Sequence, residues 1–184
     1  HNVLSRTWTC PGGEPSTSTE ASPLVTYATG GVYAASLEVS DGASTLSTTQ
    51  PNTVVVLNNP GNTPPIAEGF EAASLPADIG WTVVHNDGDN GYAITNAAAY
   101  SGNKCIRVLN NAAMSGRLDQ LVSPTMDMST ATDITLSFRY AFAQRTASDA
   151  DQLRVFVSRD CGATWSLRSQ LFATSDLSTA GIVS

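Results

Sequence analysis

Lysine is almost missing from this chain: Lys104 stands alone against eight arginines. Charged residues of both signs make up only 14 %, where about a quarter is usual. The formal net charge is -7 and the isoelectric point is near 4.5. An acidic surface so poor in ammonium groups cannot neutralise a phosphate backbone, which argues against a nucleic-acid partner. Histidine occurs twice, at His1 and His85, and cysteine three times, at Cys10, Cys105 and Cys161, with no Cys-x-x-Cys pair. That count argues against a structural zinc site. No hydrophobic run approaches the ~20 residues of a membrane-spanning helix, and helix start and stop signals are missing throughout.

What is present is hydrophobic residues at 41 %, too many for a disordered chain, together with 42 serines and threonines. His1-Asn2-Val3 opens directly on polar, foldable sequence, and no secretion leader is visible. The composition predicts a soluble all-β protein of the Thr/Ser/Gly-rich kind found outside cells, secreted or held at a cell surface. Three cysteines allow at most one intrachain disulfide. Cys105 and Cys161 lie in the same half of the chain and are the candidate pair. Three buried free thiols are the alternative reading, and Cys10 has a partner only across the domain boundary or in another chain.

The chain divides at Asn58-Asn59-Pro60-Gly61-Asn62-Thr63-Pro64-Pro65, a run of turn formers whose prolines cannot donate to a sheet. The expected organisation is a domain at 1–57, a linker at 58–66 and a second domain at 67–184. Acidity is shared, with one base against four acids before the linker and eight against twelve after it. Before the linker, Tyr33, Ala35, Leu37 and Val39 alternate with Ala34, Ser36 and Glu38, the period of two that marks a half-buried strand over Val32–Ser40. Asp41-Gly42 predicts a turn, and Ser44–Leu57 a return strand broken or bulged near Pro51, which lacks a ladder donor. Shorter strands are expected at Ser5–Thr9 and Val25–Tyr27. After the linker, strands are expected at Trp81–His85, Lys104–Leu109, Arg117–Val122, Ile134–Phe142 and Leu153–Val157, with a Gly/Asp/Asn loop at Asn86–Gly91. Short strands separated by turn signals indicate β-sandwiches.

The first half resembles the immunoglobulin-like module named after polycystic kidney disease proteins. The residues that carry this are Trp8-Thr9-Cys10-Pro11-Gly12-Gly13, Ser16-Thr17-Ser18-Thr19-Glu20, Pro23, Val25-Thr26-Tyr27, Gly31-Val32-Tyr33 and Leu37-Glu38-Val39-Ser40. The match begins at the Trp strand, so the resemblance implies a partial Ig-like β-sandwich. The second half resembles jelly-roll modules of the MAM-like and cleaved-adhesin kind. Its carrying residues are Glu68-Gly69-Phe70-Glu71, Leu75-Pro76, Trp81, Tyr100-Ser101-Gly102, Asp119-x-Leu121-Val122-Ser123-Pro124, Leu136-Ser137-Phe138 and Tyr140-Ala141. The most specific stretch is Asp151-x-Leu153-Arg154-Val155-x-Val157-Ser158-x-Asp160-Cys161-Gly162-x-Thr164-Trp165. The match spans 68 to 184 without the family's last strands, which implies a jelly roll truncated at its C-terminus. Modules in this order are similar to the tails of secreted bacterial pappalysin-like metallopeptidases and of type IX secretion cargo.

The residues that could carry chemistry are few. His1 and His85 cannot supply the ligands of a zinc peptidase. No Gly-x-Ser-x-Gly is present, and His85 has no local partner that marks it as a base. Asp87/Asp89 and Asp149/Asp151 are carboxylate pairs too close in sequence to flank a sugar cleft, and they suit a cation better. Asp87-Gly88-Asp89-Asn90-Gly91 offers oxygens at alternate positions, without the EF-hand's terminal Glu, because Ala98 stands at its twelfth place. The MAM-like resemblance implies a structural calcium held by Glu71, Asp87, Asp89 and Asp151; a plain solvated turn is the other reading of that loop. Tyr92 and Tyr100, near loops, are the candidate ligand-contact aromatics. The sequence thus predicts a non-catalytic accessory or adhesion region of a larger secreted or cell-surface protein, binding protein or glycan or acting as a spacer, without membrane insertion. Two alternatives stand beside it: the C-terminal region of a secreted zinc metallopeptidase whose catalytic domain is not in this chain, and a free-standing carbohydrate-binding module.

Overall fold

A computed structural model describes residues 3–57, 61–75, 80–84, 91–109 and 116–182. The protein is all-β, with no helix among the described residues. Ten strands follow in order: β1 (Ser5–Thr9), β2 (Thr17–Ser18), β3 (Gly31–Ser40), β4 (Thr45–Val56), β5 (Thr82–Val84), β6 (Ala93–Thr95), β7 (Cys105–Arg107), β8 (Gln120–Val122), β9 (Gln152–Val157) and β10 (Ser166–Phe172). They form two compact units, His1–Thr130 and Ala131–Ser184. The expected division at 58–66 lies inside the first of them.

The first unit is organised by a four-stranded antiparallel sheet in the order β2-β1-β3-β4. Register sets Trp8 beside Leu37 and Thr48, and Arg6 beside Val39 and Leu46. The opposite face carries Ser5, Thr7 and Thr9 against Ser40, Glu38 and Ser36, and these against Thr45, Ser47 and Thr49. One face therefore gathers Trp8, Leu37, Val39 and Leu46 beside Arg6 and Thr48, and the other is hydroxyl-rich, following the alternation of the sequence. The β3–β4 turn is closed by Asp41, whose Oδ1 accepts the amides of Ala43 at 3.0 Å and Ser44 at 2.7 Å. Opposite Tyr33 and Ala35 the β4 register jumps from Val54 to Gln50, and Pro51 falls in the skipped stretch. That is the bulge a proline inside a strand demands.

The first strand ends in a turn at Cys10-Pro11-Gly12-Gly13, where the Gly13 amide reaches the Cys10 carbonyl at 3.0 Å. Gly12 takes φ 82°, the position a type II turn reserves for glycine after proline. The rings of Tyr27 and Tyr33 pack over this turn with centroids 4.5 Å apart. A Cβ on Gly12 would lie 2.6 Å from Tyr33 Cε1, and one on Gly13 3.0 Å from Tyr27 Cζ, so both glycines are needed for the rings to close. Cys10 is buried beneath them. The Tyr33 hydroxyl donates to the Thr29 carbonyl at 2.7 Å, and Trp8 Nε1 donates to the Glu20 carbonyl at 3.1 Å. The expected strand at Val25–Tyr27 is a single bridge, Thr26 with Glu14.

Further along the first unit, β5 pairs with β8 and β6 with β7, all antiparallel. The stretch expected as a linker is fastened at its middle: the Asn62 amide donates to the Thr125 carbonyl at 2.7 Å and its carbonyl accepts from the Asp127 amide at 2.9 Å. Gly61 permits the approach, since a Cβ there would meet the backbone of Met126 and Asp127 at 2.9 Å. Asn58, Asn59 and Pro60 lie outside the described residues.

The second unit is built on the β9–β10 hairpin, bulged between Leu167 and Ser169. Ala173 and Leu177 are its buried side chains. The expected strand over Ile134–Phe142 joins no ladder. Its far end is held by the turn after β10, where the Thr179 amide donates to the Phe142 carbonyl at 2.9 Å and the Tyr140 hydroxyl to the Asp176 carbonyl at 3.0 Å. Exposure rises away from that tether, from 40 % at Tyr140 through 49 % at Phe138 to 64 % at Ile134. Alternation writes a strand into the sequence, but a strand forms only when another edge pairs with it.

Candidate functional site

Glu71 is the sequence-predicted ligand that the structure places most fully. Phe70, in the left-handed region at φ 56°, turns the chain just before it, and the Phe70 ring meets Trp81 edge-on with centroids 5.5 Å apart. The Glu71 carboxylate then faces the backbone of 102–104. Asn103 N–H donates to Oε1 and Oε2, both at 3.1 Å, and Lys104 N–H to Oε1 at 3.1 Å. The Lys104 ammonium comes back across the same corner and donates to the carbonyls of Glu71 and Ala72, each at 2.9 Å. Gly102 takes φ 69°, and a Cβ there would run into the carboxylate. Successive amides after a left-handed glycine form a concave anion receptor, and Glu71 fills it from within the chain.

Asp87 and Asp89 lie outside the described residues, as does His85. Asp151 belongs to the second unit, where its carbonyl accepts from the Ala173 amide at 2.9 Å. Calcium takes six to eight oxygens at about 2.3–2.6 Å. At Glu71 both carboxylate oxygens receive amide hydrogens, and the carbonyls of Glu71 and Ala72 hold an ammonium. The Glu71 corner as built does not fit that ion.

The acids that do organise their surroundings hold turns. Asp160 Oδ1 accepts from the Ser158 hydroxyl and the Thr164 amide, both at 2.8 Å, and Oδ2 from the Thr164 hydroxyl at 2.5 Å. These donors, the Thr164 side chain foremost, pull the Asp160 carboxyl down to about 2. The Ser158 hydroxyl also receives the Gly162 amide at 2.8 Å. The loop turns through two left-handed residues, Cys161 at φ 55° and Gly162 at φ 89°. Asp149 does similar work nearby. Its carboxylate accepts from the Thr146 hydroxyl at 2.7 Å and from the Arg145 amide at 2.8 Å, and its pKa is lowered, chiefly by Thr146. Asp41, Asp127 and Asp176 are lowered in the same way, by the amides of Ser44, Ser129 and Phe172 first in each case.

The two tyrosines separate. Tyr92 is half-buried, and burial followed by the neighbouring Asp119 carboxylate pushes its phenol above the ordinary value. Tyr100 is 75 % exposed, two residues before the Gly102 turn. Cys10, Cys105 and Cys161 are all free thiols: buried, half-buried and exposed in that order.

Lys104 and Asp160 are the residues whose roles sequence reasoning missed. For Lys104 the signal is its solitude beside a Ser-Gly-Asn turn. For Asp160 it is the spacing Ser158-x-Asp160-x-Gly162-x-Thr164, which sets two hydroxyls and a glycine where one carboxylate can tie a tight loop. No family model, curated protein or solved structure matches this chain.

Proposed function

We propose that this chain is a non-catalytic accessory or adhesion region of a larger secreted or cell-surface protein. In this reading a partial Ig-like sandwich precedes a jelly-roll sandwich. The observation that carries the proposal is the state of five turn-holding aspartates. Asp41, Asp127, Asp149, Asp160 and Asp176 all accept hydrogen bonds from their own turns, and all are shifted down. A general acid at neutral pH needs the opposite shift. These groups stiffen loops, and stiff loops on β-scaffolds are what recognition modules present.

The Ig-like part of the reading is supported by the Tyr33 hydroxyl on the Thr29 carbonyl four residues upstream, the geometry of a tyrosine corner. The jelly-roll part is supported by the pairing of β5 with β8 across an intervening β6–β7 hairpin, the non-sequential order of Greek-key sandwiches.

A glycan is the ligand that one specific feature favours. Tyr100 offers an exposed aromatic surface beside a turn braced by Glu71 and Lys104, and sugar faces stack on such rings. The whole chain on a glycan array tests this. Binding that Tyr100→Ala weakens at least about tenfold, or ~1.4 kcal/mol, supports it. A folded sample that binds nothing removes the glycan reading and leaves adhesion to protein, which pull-down against secreted partners addresses. A His-Glu-x-x-His motif encoded in the same gene would attach the chain to a peptidase.

A further inference from the structure

We infer that Lys104 is the resident cation of the Glu71 corner, so that this corner is closed by the chain's own ammonium and does not bind calcium. Glu71 and Ala72 present two carbonyl oxygens to one point, each 2.9 Å from Nζ. Converging backbone carbonyls beside a carboxylate are what a hard cation seeks. Here an ammonium sits in that place.

Residue choice fits the task. An ammonium is a compact charge with three donors on a flexible stem, whereas a guanidinium is a planar fork suited to bidentate acids. The chain uses arginine eight times and lysine once, and the one lysine stands where two carbonyls from successive residues must be bridged.

The carboxylate is spoken for as well. Its oxygens receive the amides of Asn103 and Lys104, whose hydrogens carry positive partial charge toward any incoming ion. Bringing a divalent ion to the same carbonyls sets it against the ammonium at a few ångströms. The ion would have to expel Lys104 and turn Glu71 away from the receptor made by Gly102. The corner spans more than 30 residues of sequence (Asn103 to Glu71 is 32 apart) and acts as a latch between the turn after Glu68 and the entry to β7.

The test uses the whole chain. Because Lys104 is the only lysine, acylation with an amine reagent, read by peptide mass, reports on it alone once the N-terminal amine is counted separately. Lys104 should acylate several-fold more slowly in the native chain than in urea, and millimolar calcium should change neither that rate nor the thermal midpoint measured in chelator. Lys104→Met should lower the midpoint by roughly 2–4 °C, the shift that about 1 kcal/mol gives in a chain of this size.

Calcium that speeds native acylation toward the unfolded rate overturns the inference. So does a calcium-induced rise in midpoint that Glu71→Gln abolishes. A rise that survives Glu71→Gln places the ion elsewhere and upholds the latch. If Lys104→Met does not fold, the acylation rates of the unaltered chain decide.

Discussion

Asp160 and Thr164 are joined twice, through the Thr164 amide to Oδ1 at 2.8 Å and the Thr164 hydroxyl to Oδ2 at 2.5 Å. The two bonds close the β9–β10 loop and keep the carboxylate ionised far into acid. A carboxyl whose folded pKa lies below its unfolded value adds stability above the unfolded value, and that contribution is lost as pH falls through the folded one. With 3.8 as the reference and about 2 in the fold, the loss falls between about pH 4 and pH 2. Carbon-detected titration of the Asp160 carboxyl should give a midpoint near 2. Thr164→Val, which removes the hydroxyl and keeps the amide, should move that midpoint up toward the ordinary value; an unmoved midpoint would sink the account.

The Pro-Gly-Gly turn makes a packing prediction. Gly13 is buried against Val25 and Tyr27, so Gly13→Ala inserts a methyl where there is no room. Overpacking of this kind costs about 1–3 kcal/mol. Gly181, with nothing within 4 Å of its would-be Cβ, is the matched control, and Gly181→Ala should stay within about 0.5 kcal/mol of the parent. Denaturant midpoints of the two variants compare them directly.

Thiol accessibility should rank the cysteines. Cys161 is exposed at the tip of its loop, Cys105 is half-buried and Cys10 is buried under the tyrosine pair. A small alkylating reagent should modify Cys161 first and Cys10 only when the first unit opens. Early loss of Cys10 by mass spectrometry, before Cys161, would contradict this packing.

Amide exchange separates paired from unpaired strand sequence. The β3 residues Ser36–Val39 sit between two partners, β1 and β4, and should exchange slowly. Ile134–Tyr140 has an equally strong alternation and no ladder, and should exchange much faster. Equal protection would mean that a neighbour has completed the strand in solution.

The same pair of segments shows how far the sequence could be read. Period-two alternation located β3 and its return strand within a residue or two, and proline chemistry placed the bulge at Pro51. Both are local: a side chain's face follows from its position parity, and a missing N–H is missing in any fold. Alternation in Ile134–Phe142 is just as plain, but pairing is a property of the other edge, and no residue in that segment encodes it. β6 and β10 escaped notice for the converse reason, being short or mixed in pattern and defined by the strands beside them.

The candidate site divides in the same way. Glu71 was pointed to only by the resemblance to MAM-like modules, and its partner not at all, because Lys104 lies 33 residues away and reaches it only once the chain has turned at Phe70 and Gly102. Composition alone determined that this is an acidic, lysine-poor chain with few histidines and cysteines, since those properties are sums over residues. Which cation answers Glu71, which thiol is buried and which strand goes unpaired were decided by tertiary structure, since each depends on distances between residues far apart in the chain.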